Sequence, residues 1–273
     1  MRFVCAGDCG VDRYDDLGSE RAGGIGLNVA VHLRRLCPAD DAVTVVAPVG
    51  NDRDAAVVRD AIERSGVEGC LEVVDGSTSI QHIYHRPDGE RVFGRFDEGV
   101  LGGYRVSDRQ RAVIAASDVL ATTAFGQGLA FFESVMACRP RGLRAVDFTN
   151  ANDVGDPVAF AARWAPELDV GLFGLQPSDG ALIHALEDVA RAHGRLFVVT
   201  LGPAGALALA AGARLACPAP AVGAVVDTTG AGDAFTAGFL SEYARSRDAG
   251  QGLARGVQVA ASTLGHLGSF ELT

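Results

Sequence analysis

The run over residues 227–233, Asp-Thr-Thr-Gly-Ala-Gly-Asp, combines side chains and glycines that could do chemistry. It follows an apolar run, Val222 to Val226, that predicts a strand, and it precedes a periodic run that predicts a helix from about Ala231. The first amides of a helix lack partners within the helix, and the helix dipole places partial positive charge there. Because glycines let an anion approach those amides, the run predicts a pocket for a phosphate or an oxyanion. Asp233 would stand at its edge as a base for an attacking hydroxyl, the alternative being an acidic cap on a buried helix.

The first apolar run of the chain also ends in acids. Residues 3–6 predict a buried parallel strand, and Gly7-Asp8 follows directly. Ligands of open α/β sheets bind beyond the carboxyl ends of the strands, so Asp8 and Asp12 are candidates for binding sugar hydroxyls. Turn capping is the alternative role for Asp8.

A glycine turn precedes the first predicted helix. Gly23 and Gly24 open this turn, and residues 29–36 have helical periodicity. Backbone N–H groups in the turn can donate to hydroxyls, and the Asn28 amide can both donate and accept. His32 lies within the helix and is expected to be structural rather than catalytic.

The rest of the chain alternates predicted strands and helices, beginning with a strand over residues 42–49 and a helix over residues 54–65. This order is typical of a doubly wound, mostly parallel sheet with helices on both faces. We expect one domain over residues 1–273.

Between residues 70 and 104 the pattern changes to short alternating stretches around Pro87-Asp88-Gly89, which predicts antiparallel strands joined by a turn. Together with part of residues 10–22, these strands would form a small inserted sheet. Such a lid suits phosphoryl transfer, because water competes with the acceptor for the phosphoryl group.

Composition narrows the class of function. The 273 residues carry a net charge of −10, which disfavours nucleic acid and anionic membrane surfaces as partners. The 24 basic residues are all arginines, so the lysine-containing P-loop motif is absent. The six cysteines form no C-x-x-C pair, and we find neither a signal-peptide pattern nor a membrane-spanning apolar run. These features predict a cytoplasmic protein with free thiols.

Three motifs resemble those of one family. The run Asp-Thr-Thr-Gly-Ala-Gly-Asp-Ala-Phe over residues 227–235 resembles the C-terminal signature of the ribokinase-like, or PfkB, carbohydrate kinases. Gly23-Gly24-x-x-x-Asn28 resembles the family's first signature, and Gly7-Asp8-x-x-x-Asp12 resembles its opening motif, in which the second acid holds the substrate. The resemblance implies a ribokinase-like fold and ATP-dependent phosphorylation of a primary hydroxyl of a small sugar.

The same resemblance implies roles for individual residues. Asp233 would be the catalytic base. The anion hole would comprise Gly230, Ala231 and Gly232, and the sugar would contact Asp12, Gly23, Gly24, Asn28 and Asp233. The residues implied for ATP are Thr200, Gly202, Gly205, Gly230, Gly232 and Ala260.

Two cations are also implied. The family usually places Asn-x-x-Glu where this chain has Gln176-Pro-Ser-Asp179, which keeps an amide and a carboxylate three residues apart to organise Mg²⁺ through water. This departure leaves the organisation of the metal open. K⁺ is a further candidate cofactor, bound beside Asp227 and Thr229.

The predicted lid narrows the substrate class. Its run from Arg91 to Val100, R-V-F-G-R-F-D-E-G-V, resembles a run of the fructoselysine 6-kinases, a branch of the same family. That resemblance implies a sugar–amine substrate, with Phe93 covering the sugar and Glu98 or Asp97 facing an ammonium group. A solvated acidic hairpin is the alternative. In the family such a lid often forms a homodimer interface.

Three other functions are weighed against this one. The chain could be a PfkB kinase for another sugar or a nucleoside, and its motifs do not separate these substrates. It could be a catalytically idle sugar-binding sensor, which the departure at Gln176 and Asp179 favours and the intact Asp233 disfavours. A dinucleotide oxidoreductase would need G-x-G-x-x-G after the first strand, and this chain lacks it there.

Overall fold

The computed structural model describes residues 1–85, 91–149, 154–210 and 212–272. The turn predicted at residues 87–89 lies outside these ranges. The strands are β1 (Arg2–Ala6), β2 (Gly10–Tyr14), β3 (Ser19–Gly23), β4 (Ala42–Val49), β5 (Glu68–Val73), β6 (Ser79–His85), β7 (Arg91–Asp97), β8 (Val119–Thr123), β9 (Leu143–Asp147), β10 (Val170–Gly174), β11 (Leu196–Thr200), β12 (Ala206–Ala210) and β13 (Ala213–Cys217). The helices are α1 (Ile25–Leu36), α2 (Arg53–Ser65), α3 (Asp108–Ala115), α4 (Leu129–Met136), α5 (Pro157–Trp164), α6 (Gly180–His193), α7 (Ala231–Ser246) and α8 (Ala249–Ser262).

The large sheet has the strand order β13-β12-β11-β10-β9-β8-β1-β4-β5. Its neighbours from β11 to β5 are all parallel, whereas β12 pairs antiparallel with both β11 and β13. The chain leaves β1 toward β4 on one side and later returns to β8 on the other. The crevice between β1 and β8 is therefore a topological switch point, where ligands of such sheets bind. The predicted doubly wound fold is confirmed.

The core lies on both faces of this sheet. Successive strand residues point to opposite faces, so Phe3 and Cys5 pack toward α1, α2, α7 and α8, while Val4 and Ala6 pack toward α3 and α4. Alternate packing of this kind explains why these strands are apolar throughout rather than alternating in polarity.

The small sheet has the order β3-β2-β6-β7 and matches the predicted lid. Strand β2 pairs antiparallel with β3 and parallel with β6, and β6 pairs antiparallel with β7. Residues 70–73, which we placed in the second lid segment, belong instead to β5 at the edge of the large sheet. The small sheet uses the chain only from Ser79 onward in that segment.

The strand predicted over residues 222–226 is wrong. This stretch has no ladder partner in the described part of the chain, and its main link is a hydrogen bond from Val226 N to Leu264 O. Val222, Val225 and Val226 are all largely exposed. Their β-branched side chains favour an extended backbone, but β-propensity depends on a neighbouring strand to pair with.

All six cysteines are free thiols, as predicted. None of the described helices is both long enough and apolar enough to span a membrane.

Candidate active site

A cavity of about 510 Å³ opens at the switch point, between the large sheet and the lid. Residues after β1, β8 and β9 reach it, together with the first turns of α1 and α7. The described residues that line it are Asp8, Gly10, Val11, Asp12, Gly24, Ile25, Asn28, Ser79, Gln81, Phe93, Gly94, Phe96, Phe125, Gln127, Thr149, Thr229, Gly230 and Asp233. Carboxylates, amides and phenyl rings are present, whereas arginine and histidine are absent from this set.

Asp233 lies in the first turn of α7 and faces Asn28 across the cavity floor. Asn28 Nδ2 donates to Asp233 Oδ2 at 2.7 Å. Loss of hydration raises the pKa of Asp233 to about 8; the Asn28 hydrogen bond lowers it, and the nearby carboxylates of Asp147, Asp8 and Asp12 raise it. A carboxyl group with a pKa near neutrality suits a general base.

Asn28 is a predicted sugar contact that reaches Asp233 directly. It lies one turn into α1 and is only 4% exposed. Its Oδ1 is buried and has no hydrogen-bond partner. Buried acceptors are normally satisfied, so this oxygen is free for a ligand hydroxyl.

Gly230 and Gly232 shape the predicted anion hole in different ways. Gly230 has φ +73, and a Cβ there would lie 2.0 Å from Ser269 Oγ, so backbone conformation and close packing both require glycine. A Cβ at Gly232 would meet no atom within 4 Å, which leaves its backbone open to a ligand. The amide of Ala231 already donates to Thr228 O at 3.2 Å. The predicted hole therefore depends mainly on the amides that follow Ala231.

Asp8 and Asp12 separate into two roles. Asp8 Oδ1 accepts from Ile25 N at 2.9 Å, so this carboxylate caps α1, as the alternative interpretation proposed. Burial raises the pKa of Asp8 to about 6, although hydrogen bonds from backbone amides, including that of Ile25, lower it. Asp12 lies on β2 and also lines the cavity. A Cβ at Gly23 would lie 2.4 Å from Asp12 Oδ2, so Gly23 makes room for that carboxylate rather than lining the cavity itself.

A buried hydrogen-bond network ties the lid to the loop before α7. Tyr14 on β2 is fully buried, and its hydroxyl donates to Asp227 Oδ2 at 3.0 Å. The same carboxylate accepts from Gly268 N at 2.8 Å and from both the amide and the hydroxyl of Thr229. These donors hold the pKa of Asp227 below its usual value despite burial. The visible role of Asp227 and Thr229 is thus to join three segments, and K⁺ binding there stays a prediction.

In the lid, Phe93 and Glu98 occupy different places. Phe93 lines the cavity while its side chain is still 53% exposed, which suits a group that covers a substrate. Glu98 is not among the lining residues and packs beside Gly102. Asp97 is engaged by Arg95 at 2.7 Å and by His82 at 3.2 Å.

A second cavity of about 270 Å³ adjoins the first on the side of β9 to β11. Asp233, Gly230 and Thr149 line both cavities, so the two meet at the start of α7. Thr200 and Gly232, predicted for ATP, line this second cavity. Gly230, also predicted for ATP, lines it too, but the remaining three do not: Gly202 and Gly205 lie in the turn after β11, and Ala260 is half-buried on α8.

Asp147 in the second cavity has a role that we did not predict. It ends β9, accepts from Thr149 N at 2.7 Å and from Thr236 Oγ1 at 3.2 Å, and burial raises its pKa to about 6. Thr149 has φ 45, a conformation that non-glycine residues seldom adopt and that often marks functional sites. The sequence feature that could have indicated a role for Asp147 is its position at the carboxyl end of a predicted parallel strand.

Gln176 and Asp179 lie outside both cavities. Asp179 Oδ2 accepts from Gln176 N at 2.8 Å, which closes the turn before α6. No group of three or more His, Cys, Asp or Glu side chains within the described ranges could hold a metal ion. Mg²⁺ often uses only one or two carboxylates with water and phosphate oxygens, so Asp147 offers a suitable ligand in the second cavity.

Comparison with known proteins gives a consistent result. Residues 167–271 match the model of the pfkB family carbohydrate kinases. The chain is 29% identical over 267 residues to a fructoselysine 6-kinase of Shigella flexneri, covering 97% of each protein. It is 27% identical over 275 residues to a fructosamine kinase of Bacillus subtilis, covering 99% of this chain and 93% of that protein. The crystal structure of adenosine kinase from Sinorhizobium meliloti shares the fold with a TM-score of 0.84 and 21% identity, covering 100% of this chain and 96% of that one.

Proposed function

Because the chain is a carbohydrate kinase of the PfkB family, we propose that it transfers the terminal phosphoryl group of ATP to a primary hydroxyl of a sugar–amine adduct of the fructoselysine type. One observation carries this proposal: Asp233 and Gly230 line both cavities and stand where they meet. An acceptor hydroxyl in the first cavity and a phosphoryl group in the second would meet at that carboxylate.

The chemistry follows from the groups at this junction. Asp233 accepts the proton of the acceptor hydroxyl while the hydroxyl oxygen bonds to the terminal phosphorus of ATP and the bond from that phosphorus to ADP breaks, releasing ADP. Asn28 holds the carboxylate in place. Backbone amides of Gly232 and Asp233 point their partial positive charge at the charge that develops, which is the larger contribution in phosphoryl transfer. The lid then serves to keep water from the phosphoryl group.

The second cavity would hold the phosphates of ATP together with Mg²⁺. Thr200 and Gly232 offer polar groups to the phosphates there. Asp147 would hold Mg²⁺, whereas Gln176 and Asp179 line neither cavity. The metal, when bound, neutralises charge on the phosphates.

The first cavity favours a neutral or cationic substrate. Its described lining includes Asp8, Asp12 and Asp233, and three phenyl rings that can face an ammonium group (those of Phe93, Phe96 and Phe125). A substrate that already carries a phosphate would bring its charge close to the carboxylates of Asp8 and Asp12, at a cost of about 4 kcal/mol for each pair at 4 Å in a medium of effective dielectric about 20. This lining supports a sugar–amine over a phosphorylated sugar.

ATP consumption with a substrate panel tests the proposal. The panel contains fructoselysine, the same adduct with its linking nitrogen acylated, fructose, fructose 1-phosphate, ribose and adenosine. We expect the fastest turnover on fructoselysine, slower turnover on the acylated analogue, whose linking nitrogen has lost its positive charge, and very little on the phosphorylated sugar. Fast turnover on ribose or adenosine alone would support the kinase activity but refute the sugar–amine as the substrate. Asp233→Asn is the control, with a loss of about 10²–10⁴-fold in turnover and unchanged ATP binding.

A further inference from the structure

A third cavity lies further along α1 than the sugar site, between α1, α8 and the turn that follows α8. Its volume is about 290 Å³. The polar residues that line it include His32, Arg35, Arg255, Ser262, Thr263 and His266. No acidic residue belongs to its described lining, although the chain as a whole carries a net charge of −10.

The positive charge in this cavity is only partly compensated. Arg255 is exposed and forms no ion pair with any described carboxylate. Arg35 donates to the main-chain oxygen of Glu271, whose carboxylate is the nearby acid. His266 Nδ1 is buried without a hydrogen-bond partner. The pKa of His32 falls to about 4 because of burial and the proximity of Arg35 and His266. His32 is therefore neutral at pH 7 and uses its Nε2–H to donate to Ser269 O at 3.0 Å.

We propose that this cavity binds the phosphate group of a small metabolite and that its occupancy tightens ATP binding at the active site. The guanidinium groups of Arg35 and Arg255 provide the donors, and guanidinium can bind phosphate through two parallel hydrogen bonds. The hydroxyls of Ser262 and Thr263 are not among these donors, because each already donates to a main-chain oxygen of α8. The volume holds a phosphate with a small organic substituent, which is the lower end of the size of ligand pockets.

The cavity is connected to the active site by short contacts. His32 follows Asn28 by one helical turn, so both residues lie on one face of α1. His32 contacts Ser269, whose side chain packs directly against Gly230 of the predicted anion hole. A bound anion that orders the turn after α8 would therefore also order Gly230. By linkage, ATP would tighten anion binding by the same factor.

Calorimetric titration with inorganic phosphate tests the binding, and needs no turnover. The variants are Arg255→Gln and the double variant with Arg35→Gln; the matched control is Arg59→Gln, an exposed arginine on α2 that removes the same charge elsewhere. Each charge-assisted contact should contribute about tenfold in affinity, so we expect tenfold weaker binding in the single variant and further loss in the double variant. Phosphate bound at the anion hole would be unaffected by these substitutions. Equal affinity in the wild type and the double variant would overturn the proposal.

Two further measurements identify the source of the phosphate and the coupling. If fructose 6-phosphate binds this cavity more tightly than free phosphate, the ligand is a phosphorylated sugar; equal affinity assigns the site to free phosphate. We expect phosphate to lower the calorimetric dissociation constant for ATP in the wild type and in Arg59→Gln, but not in the double variant. An identical response in all three proteins would refute the coupling, whatever the kinase activity proves to be.

Discussion

Removing the Asn28 amide should move the pH dependence of catalysis in a defined direction. Its Nδ2 donates to Asp233 Oδ2 at 2.7 Å, and a hydrogen bond to a charged group contributes about 1.5–3 kcal/mol. A difference of 1.36 kcal/mol corresponds to one pH unit in pKa, so Asn28→Ala should raise the pKa of Asp233 by about 1–2 pH units above its value of about 8. The base acts only when it is deprotonated. At pH 7 about one tenth of the wild-type sites would carry the carboxylate, and the variant should lose a further factor of about 10–100.

The assay is the pH profile of the rate with both substrates well below saturation, which reports the pKa values of the free enzyme. We expect the acidic limb near pH 8 in the wild type and at higher pH in Asn28→Ala, with much of the lost rate regained at alkaline pH. Gln81→Ala is the matched control, because Gln81 lines the same cavity and donates to main-chain oxygens of the lid. Its limb should stay near pH 8, with any change confined to KM. Coincident limbs in the wild type and Asn28→Ala would refute the role assigned to this hydrogen bond.

Three other substitutions give distinct outcomes. Gly230→Ala should lower the free energy of unfolding by at least about 1–2 kcal/mol, because Gly230 has a positive φ and is closely packed. Gly232→Ala should keep or raise the melting temperature but still lower turnover. Calorimetry combined with steady-state kinetics separates the two outcomes. Tyr14→Phe should cost about 1–3 kcal/mol by removing a donor from buried Asp227. Since donors lower the pKa of Asp227, the stability they contribute is present above its unfolded pKa and lost as the pH falls, so denaturant unfolding of this variant should match the wild type more closely in acid. Phe93→Ala should leave the free energy of unfolding within about 0.5 kcal/mol, because the side chain is largely exposed, yet raise the KM for the sugar; an unchanged KM would remove Phe93 from the site.

Local sequence signals were sufficient for β1 and β4 of the large sheet and for the start of α7, but not for β5, which we placed in the lid. Apolar runs bounded by glycine and acids predicted the parallel strands, and the glycines at 230 and 232 predicted the turn that opens α7 at Ala231. These features depend on neighbours in the chain, so a sequence pattern can carry them. The valines at 222–226 show the limit, because a β-prone run becomes a strand only where another strand is available to pair with it.

The assignment of individual acids needed the structure. Asp8 and Asp12 have the same chemistry, lie four residues apart and both line the cavity, yet Asp8 also caps α1 through Ile25 N while Asp12 lies over Gly23. In the sequence alone, Asp147 was only weak evidence for a site residue, since an acid at the end of a strand is common. It became a candidate ligand only when β9 placed it within electrostatic reach of Asp233, 86 residues later in the chain.

Helix α1 explains why the two signatures of this chain must occur together. Its first turn is capped by Asp8, and its next turn presents Asn28 to Asp233 from a sequence distance of 205 residues. One turn later, His32 reaches Ser269, which packs on Gly230. The helix therefore holds both the base and the glycine of the anion hole from one face, and a displacement of α1 along its axis would disturb both. We accordingly expect substitutions that loosen the packing of α1 against α7 to lower turnover more than they lower binding of either substrate alone.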